Sequence, residues 1–142
     1  MQSALHPLAN GWMLKRVQHD DAKMTLTSFM GSRSAKALFF AAALFALVMA
    51  LVPHPPRLPG DPSDKVQHMI AFAVLGLLGG LAFPKVRTRW LIALLSLFGA
   101  LIEVLQAIPV LHRDSDPLDW LADTIACGLV LLALRWWMAR NR

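Results

Sequence analysis

The chain has 142 residues, of which 56% are hydrophobic and 16% charged, and its formal net charge is +5; the mean hydropathy is +0.50 and the pI about 10.2. Soluble domains carry roughly 25% charged residues, so this composition points to lipid and excludes an ordinary water-soluble core. The basic balance does not imply nucleic acid, because Lys and Arg fall in short clusters between apolar runs with no interleaved aromatics, and the single cysteine, Cys127, excludes an intrachain disulfide.

Residues 1–34 mix polar and apolar positions with no sustained period and contain Lys15, Arg16, Asp20, Asp21, Lys23 and Arg33. They read as a loosely ordered polar tail. Four of the seven methionines, Met1, Met13, Met24 and Met30, precede the first apolar run, a pattern that fits a translation start at Met24 or Met30. Mass spectrometry of the native N-terminus checks this.

The first apolar run extends from about Ala35 to Pro53, with Lys36 near its start. About 20 helical residues cross about 30 Å of hydrocarbon, and no small-residue cleavage site follows a short apolar stretch, so this is a retained span and not a signal peptide. The stretch His54-Pro-Pro-Arg-Leu-Pro-Gly60 is rich in proline and reads as an extended loop outside the hydrocarbon. Further runs extend from Val66 to Phe83, from Trp90 to about Leu111 and from Leu118 to Trp137. In lipid each must be helical, because an open strand leaves amides and carbonyls unpaired. The predicted fold is therefore all-α: a four-transmembrane-helix bundle over 35–137, with a short basic tail at 138–142.

Orientation follows from the basic residues. Lys15, Arg16, Lys23, Arg33, Lys36, Lys85, Arg87, Arg89, Arg135, Arg140 and Arg142 fall on one side and only Arg57, Lys65 and Arg113 on the other, so the positive-inside rule places both termini in the cytoplasm. Trp90, Trp120, Trp136 and Trp137 stand at run ends, where an indole sits at headgroup level.

With this topology the ionisable residues inside the runs fall on the outer side. His68 is in the first turn of span two, Glu103 in the outer third of span three with Gln106 one turn on, and Asp119 and Asp123 in the first two turns of span four. Asp64, Lys65, Arg113, Asp114 and Asp116 stand at the mouths of the same helices. Spacings of three and four put Asp64 with His68, Glu103 with Gln106, and Asp116 with Asp119 and Asp123 on shared helix faces. A mid-bilayer carboxylate costs about 2.5 kcal/mol or more on insertion scales, so Glu103 is expected to turn inward, with Arg113 and His68 as partners. Pro109 cannot donate to the Leu105 carbonyl and is expected to kink span three, freeing that carbonyl for the polar pocket.

Structural readings stand beside the functional ones. Asp61-Pro62-Ser63-Asp64 and Asp116-Pro117-Leu118-Asp119 both look like helix starts, with Asp as N-cap and Pro at N1. Asp64 and Asp119 fit either capping or pocket lining, Glu103 either a site or a structural ion pair, and Gly76, Gly79 and Gly80 close helix packing. The two Asp-Pro-x-Asp starts lie 55 residues apart, a weak sign of duplicated hairpins.

The ordered set Asp64-Lys65-x-x-His68 with Phe72 and Gly76, Glu103-x-x-Gln106, Arg113 and Asp119-x-x-x-Asp123 resembles the VanZ-like family of bacterial membrane proteins, over residues 35–137. Asp123 stands where many members carry Asn. The family takes its name from a protein associated with low-level resistance to the glycopeptide teicoplanin, so the resemblance implies a bacterial inner-membrane protein in a cell-envelope context.

Three functions follow from these residues. In the first, an outward-facing site uses His68 as acid/base, Glu103 and Asp119 as catalytic carboxylate partners, and Asp64, Lys65, Gln106, Arg113 and Asp123 to bind a lipid-linked envelope precursor or anionic lipid. In the second, an accessory membrane protein uses the same cluster to pack helices or dock a partner. The third, a small proton-coupled transporter, requires an oligomer and polar residues in the cytoplasmic half that the sequence lacks. No Ser or Cys nucleophile motif, phosphate loop or HExxH pattern is present and no cofactor is implied; a carboxylate and His site for a divalent metal stays open.

Overall fold

The computed structural model of the chain describes residues 24, 27–53, 63–111 and 115–141. Among them there is no strand; residues 24 and 27–29 are helical, and the longer elements are α1 (Arg33–Leu51), α2 (Asp64–Ala82), α3 (Thr88–Gln106), a 3-10 turn at Pro109–Leu111, and α4 (Pro117–Arg140). All four α-helices are long and apolar enough to cross a membrane.

Local chemistry sets the helix starts, and at two of them it differs from the sequence-based expectation. Ser32 caps α1, its Oγ accepting from the Ala35 amide at 3.0 Å. Just before it, Gly31 adopts φ +74°, a conformation open to glycine, and its amide donates to the Leu81 carbonyl at the end of α2. The last residues of the expected loose tail are therefore built into the fold. At α2 the cap is Ser63, whose Oγ accepts from Val66, so the helix begins two residues later than the Asp61-Pro62 start predicted; Asp61 and Pro62 lie outside the described residues. The start of α4 agrees with its prediction: Asp116 caps, Pro117 opens the helix, and Asp116 Oδ1 accepts from the Leu118 amide at 2.9 Å.

Span three also ends differently. α3 stops at Gln106, short of the expected Leu111. Pro109 has no amide to give Leu105, as predicted, but the chain leaves the α-helix instead of kinking within it. The Leu105 carbonyl is taken by the Ile108 amide at 3.1 Å, so it is not released into a pocket.

α2 is the hub, packing on every other helix and most extensively on α4, while α1 lies against α2 and α3. α2 and α4 run parallel in register, with Lys65 beside Asp119, Gly76 beside Cys127 and Phe83 beside Arg135. Their closest approach is at Gly76, where a Cβ would sit 2.9 Å from the Cys127 carbonyl oxygen. Phe72, Leu75, Ile102, Leu131 and Cys127 fill the interior, and α1 contributes little beyond Ala35 and Ala50.

The surface is inverted relative to a soluble bundle. Phe45, Leu97, Val104 and Leu129 are 64–68% exposed, whereas Glu103, Gln106 and Asp123 are buried. In water such a continuous apolar exterior would drive association; in hydrocarbon it is the favourable face. Together with the helix lengths, it suggests a membrane protein.

Candidate functional site

The start of α2, the end of α3 and the start of α4 meet at one end of the bundle, and the described carboxylates gather there with Lys65 and His68. Lys65 Nζ lies between two carboxylates of α4, 3.4 Å from Asp116 Oδ2 and in direct contact with Asp119 Oδ1. One turn deeper, His68 Nδ1 is 3.5 Å from Asp123 Oδ2. The parallel register of α2 and α4 produces both pairs: steps of three on α2 and four on α4 carry each helix about one turn along. At the boundary, the Leu118 amide and then Lys65 hold the Asp116 carboxyl below the usual carboxylate range, so it stays ionised at neutral pH.

Asp123 is 98% buried, and only one of its oxygens has a protein partner. Such a carboxylate is expensive in an apolar interior unless a cation or donor meets it. His68 is the group that meets it here. With Asp123 on Nδ1, that nitrogen carries the ring proton when the imidazole is neutral. Glu103 lies within electrostatic reach of His68 and of Asp119.

Glu103 turns inward, as its insertion cost requires, and among the described residues its direct partners are Ser115 and the Asp116 amide, not the expected His68. Its Oε2 accepts from Ser115 Oγ at 3.0 Å and from the Asp116 amide at 2.9 Å, tying the end of α3 to the start of α4. Arg113 lies outside the described residues, as does the Asp64 side chain. Because one oxygen receives both bonds, Glu103→Gln is expected to keep the fold within about 1 kcal/mol. Glu103→Ala, which strands the Asp116 amide, should destabilise it by about 2 kcal/mol. Thermal unfolding in detergent measures both; equal losses would show that the charge and not the tie matters.

Gln106 does not join the cluster. Its Nε2 donates to the Ala50 carbonyl at 3.0 Å, fastening the last turn of α1 to α3. The structure thus brings together Lys65, His68, Glu103, Asp119 and Asp123, and directs Gln106 to another helix. Ser115 was not singled out from the sequence; a hydroxyl beside a cap residue gave no sign that a helix end would fold back to it.

Trp120 has a role the sequence reading did not foresee. Its indole N–H donates to the Ser96 carbonyl at 3.0 Å and hydroxyl at 3.1 Å, and Thr124 Oγ1 contacts the same hydroxyl at 3.0 Å. The indole therefore braces α4 against the middle of α3. Ser96, a lone hydroxyl in an apolar run, is the residue that could have signalled an interhelical partner. Beside this brace, a mostly apolar groove of about 280 Å³ runs past Glu103, Ser115 and Pro117.

Among the described residues no three His, Cys, Asp or Glu side chains converge to hold a metal ion. Cys127 is fully buried and its thiol donates to the Thr124 carbonyl at 3.3 Å, so it is a packing residue. Compared with protein families, with curated proteins and with solved structures, the chain has no match in any of the three.

Proposed function

We propose that the protein is a bacterial inner-membrane protein with both termini in the cytoplasm, whose His68–Asp123 pair is an acid–base site opening toward the outer leaflet. The observation that carries this reading is the pairing itself: a buried carboxylate on one helix orients an imidazole on another, at the only end of the described bundle where carboxylates gather. Lys65, held by Asp116 and Asp119, keeps the two helix starts in register above it. The substrate that fits is a lipid-linked cell-wall precursor, reaching the site within the plane of the bilayer, in line with the resemblance to the VanZ-like family.

His68→Ala should abolish the activity, a loss of about a hundredfold or more for a general acid–base group. Asp123→Asn keeps an oxygen acceptor for Nδ1–H and should retain part of it. Asp123→Ala should behave like His68→Ala. The readout is the pool of lipid-linked precursors in a deletion strain carrying each variant, with the protein quantified in the membrane fraction. Full restoration by His68→Ala at normal protein levels would remove the site.

A second reading has its own support. The bonds of Glu103 to Ser115 and Asp116 and of Gln106 to Ala50 are helix ties, as expected of an accessory protein whose polar cluster packs helices. Under that reading His68→Ala lowers the amount of protein in the membrane before it alters any precursor pool. Orientation is tested separately by single cysteines at Pro53 and Arg87, since the native thiol is buried; an impermeant maleimide applied to cells should label the first alone.

A further inference from the structure

We infer that the other end of the bundle is a binding surface for anionic phospholipid headgroups, assembled around the turn between α2 and α3. It rests on the bilayer placement proposed above and is independent of the His68 site.

Three helices converge on that turn. The Arg135 guanidinium of α4 donates to the carbonyls of Phe83, Pro84 and Val86, so the end of α4 is pinned against it. From α1, the Lys36 ammonium lies 6.0 Å over the Phe83 ring, which Phe39 meets edge-on. Lys85 and Arg87 belong to the turn itself and are exposed. Cations from three parts of the chain are thereby grouped about one short segment.

Among the described residues, charge at this end has a single sign. Arg33, Lys36, Lys85, Arg87, Arg89, Arg135 and Arg140 lie here, while every ion pair among the described residues is at the opposite end, where Glu103, Asp116, Asp119 and Asp123 also lie. No described carboxylate lies at this end. At the edge of a bilayer the abundant anions able to meet these cations are lipid phosphates.

The aromatic rings set the depth. Arg89 lies 5.7 Å over the ring of Trp90 and Arg140 5.4 Å over that of Trp136, and both indoles are more than half exposed. An indole prefers the headgroup level, and a guanidinium stacked on it is carried to the same plane. This is the level of lipid phosphates and not of nucleic acid or a soluble acidic protein, which would approach from the aqueous side.

The test uses the full chain in nanodiscs of phosphatidylcholine with or without a minor fraction of phosphatidylglycerol. Native mass spectrometry reads the lipid retained, and thermal unfolding reads the linked stabilisation. Wild type should retain phosphatidylglycerol selectively and unfold at higher temperature with it. With roughly fivefold in affinity for each cation near an anionic surface, Lys85→Gln, Arg87→Gln and Arg140→Gln combined should weaken retention about a hundredfold. His68→Ala should leave it unchanged. Equal retention of both lipids, or unchanged retention by the triple variant, overturns the inference. So does binding of soluble glycerol phosphate to discs of phosphatidylcholine with equal effect, which would identify a free phosphate as the ligand. Failure of wild type to enter any disc overturns the bilayer placement itself, whereas a loss of precursor activity with lipid selectivity intact leaves this surface standing.

Discussion

Gly76→Ala should destabilise the bundle by about 2 kcal/mol, whereas Gly80→Ala should change it by less than about 1 kcal/mol, although Gly80 has the shorter contact. Both changes gain up to about 1 kcal/mol in helix propensity. The difference lies in what the new methyl meets. At position 76 it comes within 2.9 Å of the Cys127 carbonyl oxygen and 3.1 Å of its Cα, and backbone on a packed helix gives way only if α2 and α4 separate, at the cost typical of overpacking, about 1–3 kcal/mol. At position 80 it meets chiefly the tip of Leu134, a half-buried side chain that can change rotamer, and less closely that of Leu131 at 3.2 Å. Denaturant titration in mixed micelles, followed by circular dichroism, measures both, and equal losses would mean that the helix axes are not fixed as described.

Arg135→Ala is expected to cost about 3 kcal/mol, and Arg135→Lys to recover less than half of it. The guanidinium supplies three bonds at 2.6–3.0 Å to carbonyls of the turn that ends α2, and hydrogen bonds from a charged donor are worth about 1.5–3 kcal/mol each before the losses shared among them. Those carbonyls also lie at the negative pole of α2, where a cation is favoured. A lysine keeps the charge but places one compact ammonium where a planar fork spanned Phe83, Pro84 and Val86. The same titration measures the loss, and limited proteolysis near residue 85 should report the loosened turn. Full rescue by lysine would reduce the role of Arg135 to its charge.

The sequence was most readable where one dimension suffices. A run of apolar residues long enough for a bilayer identifies its own helix, and all four runs are helical. The start of α4 was equally plain, because an N-cap, a first-turn proline and the amide they serve lie within three residues. Errors began where a helix end has two possible chemistries. Ser63 and Asp61 are both good caps, and only the path of the preceding chain chooses between them. Pro109 is compatible with a kink or with an exit from the helix, and the amide of Ile108 decides for exit.

Partners between helices were harder to see. The gathering of His68, Glu103, Asp119 and Asp123 at one end followed from depth alone, but their pairing depends on which flank of each helix faces which neighbour. Glu103 and Gln106, three apart on one face, serve α4 and α1 respectively. Arg135 counted only as a topogenic charge, since no local spacing foretells that three carbonyls from some 50 residues earlier will surround it. Partners fixed by azimuth and register are set by tertiary packing, which a linear pattern does not encode.

The pairing of α2 with α4 bears on how such a chain is made. Lys65 and Asp119 are 54 positions apart, so the ammonium leaves the ribosome well before its counter-ion has been synthesised, and α3 is threaded in between. Until then the lysine stays wet by stretching toward water. The final helix, bearing two acids of its own, gains a favourable lodging only where α2 already waits. In the bilayer placement proposed above, biogenesis of the last span would then depend on the second, and a truncated or delayed α2 should send α4 to quality-control proteolysis.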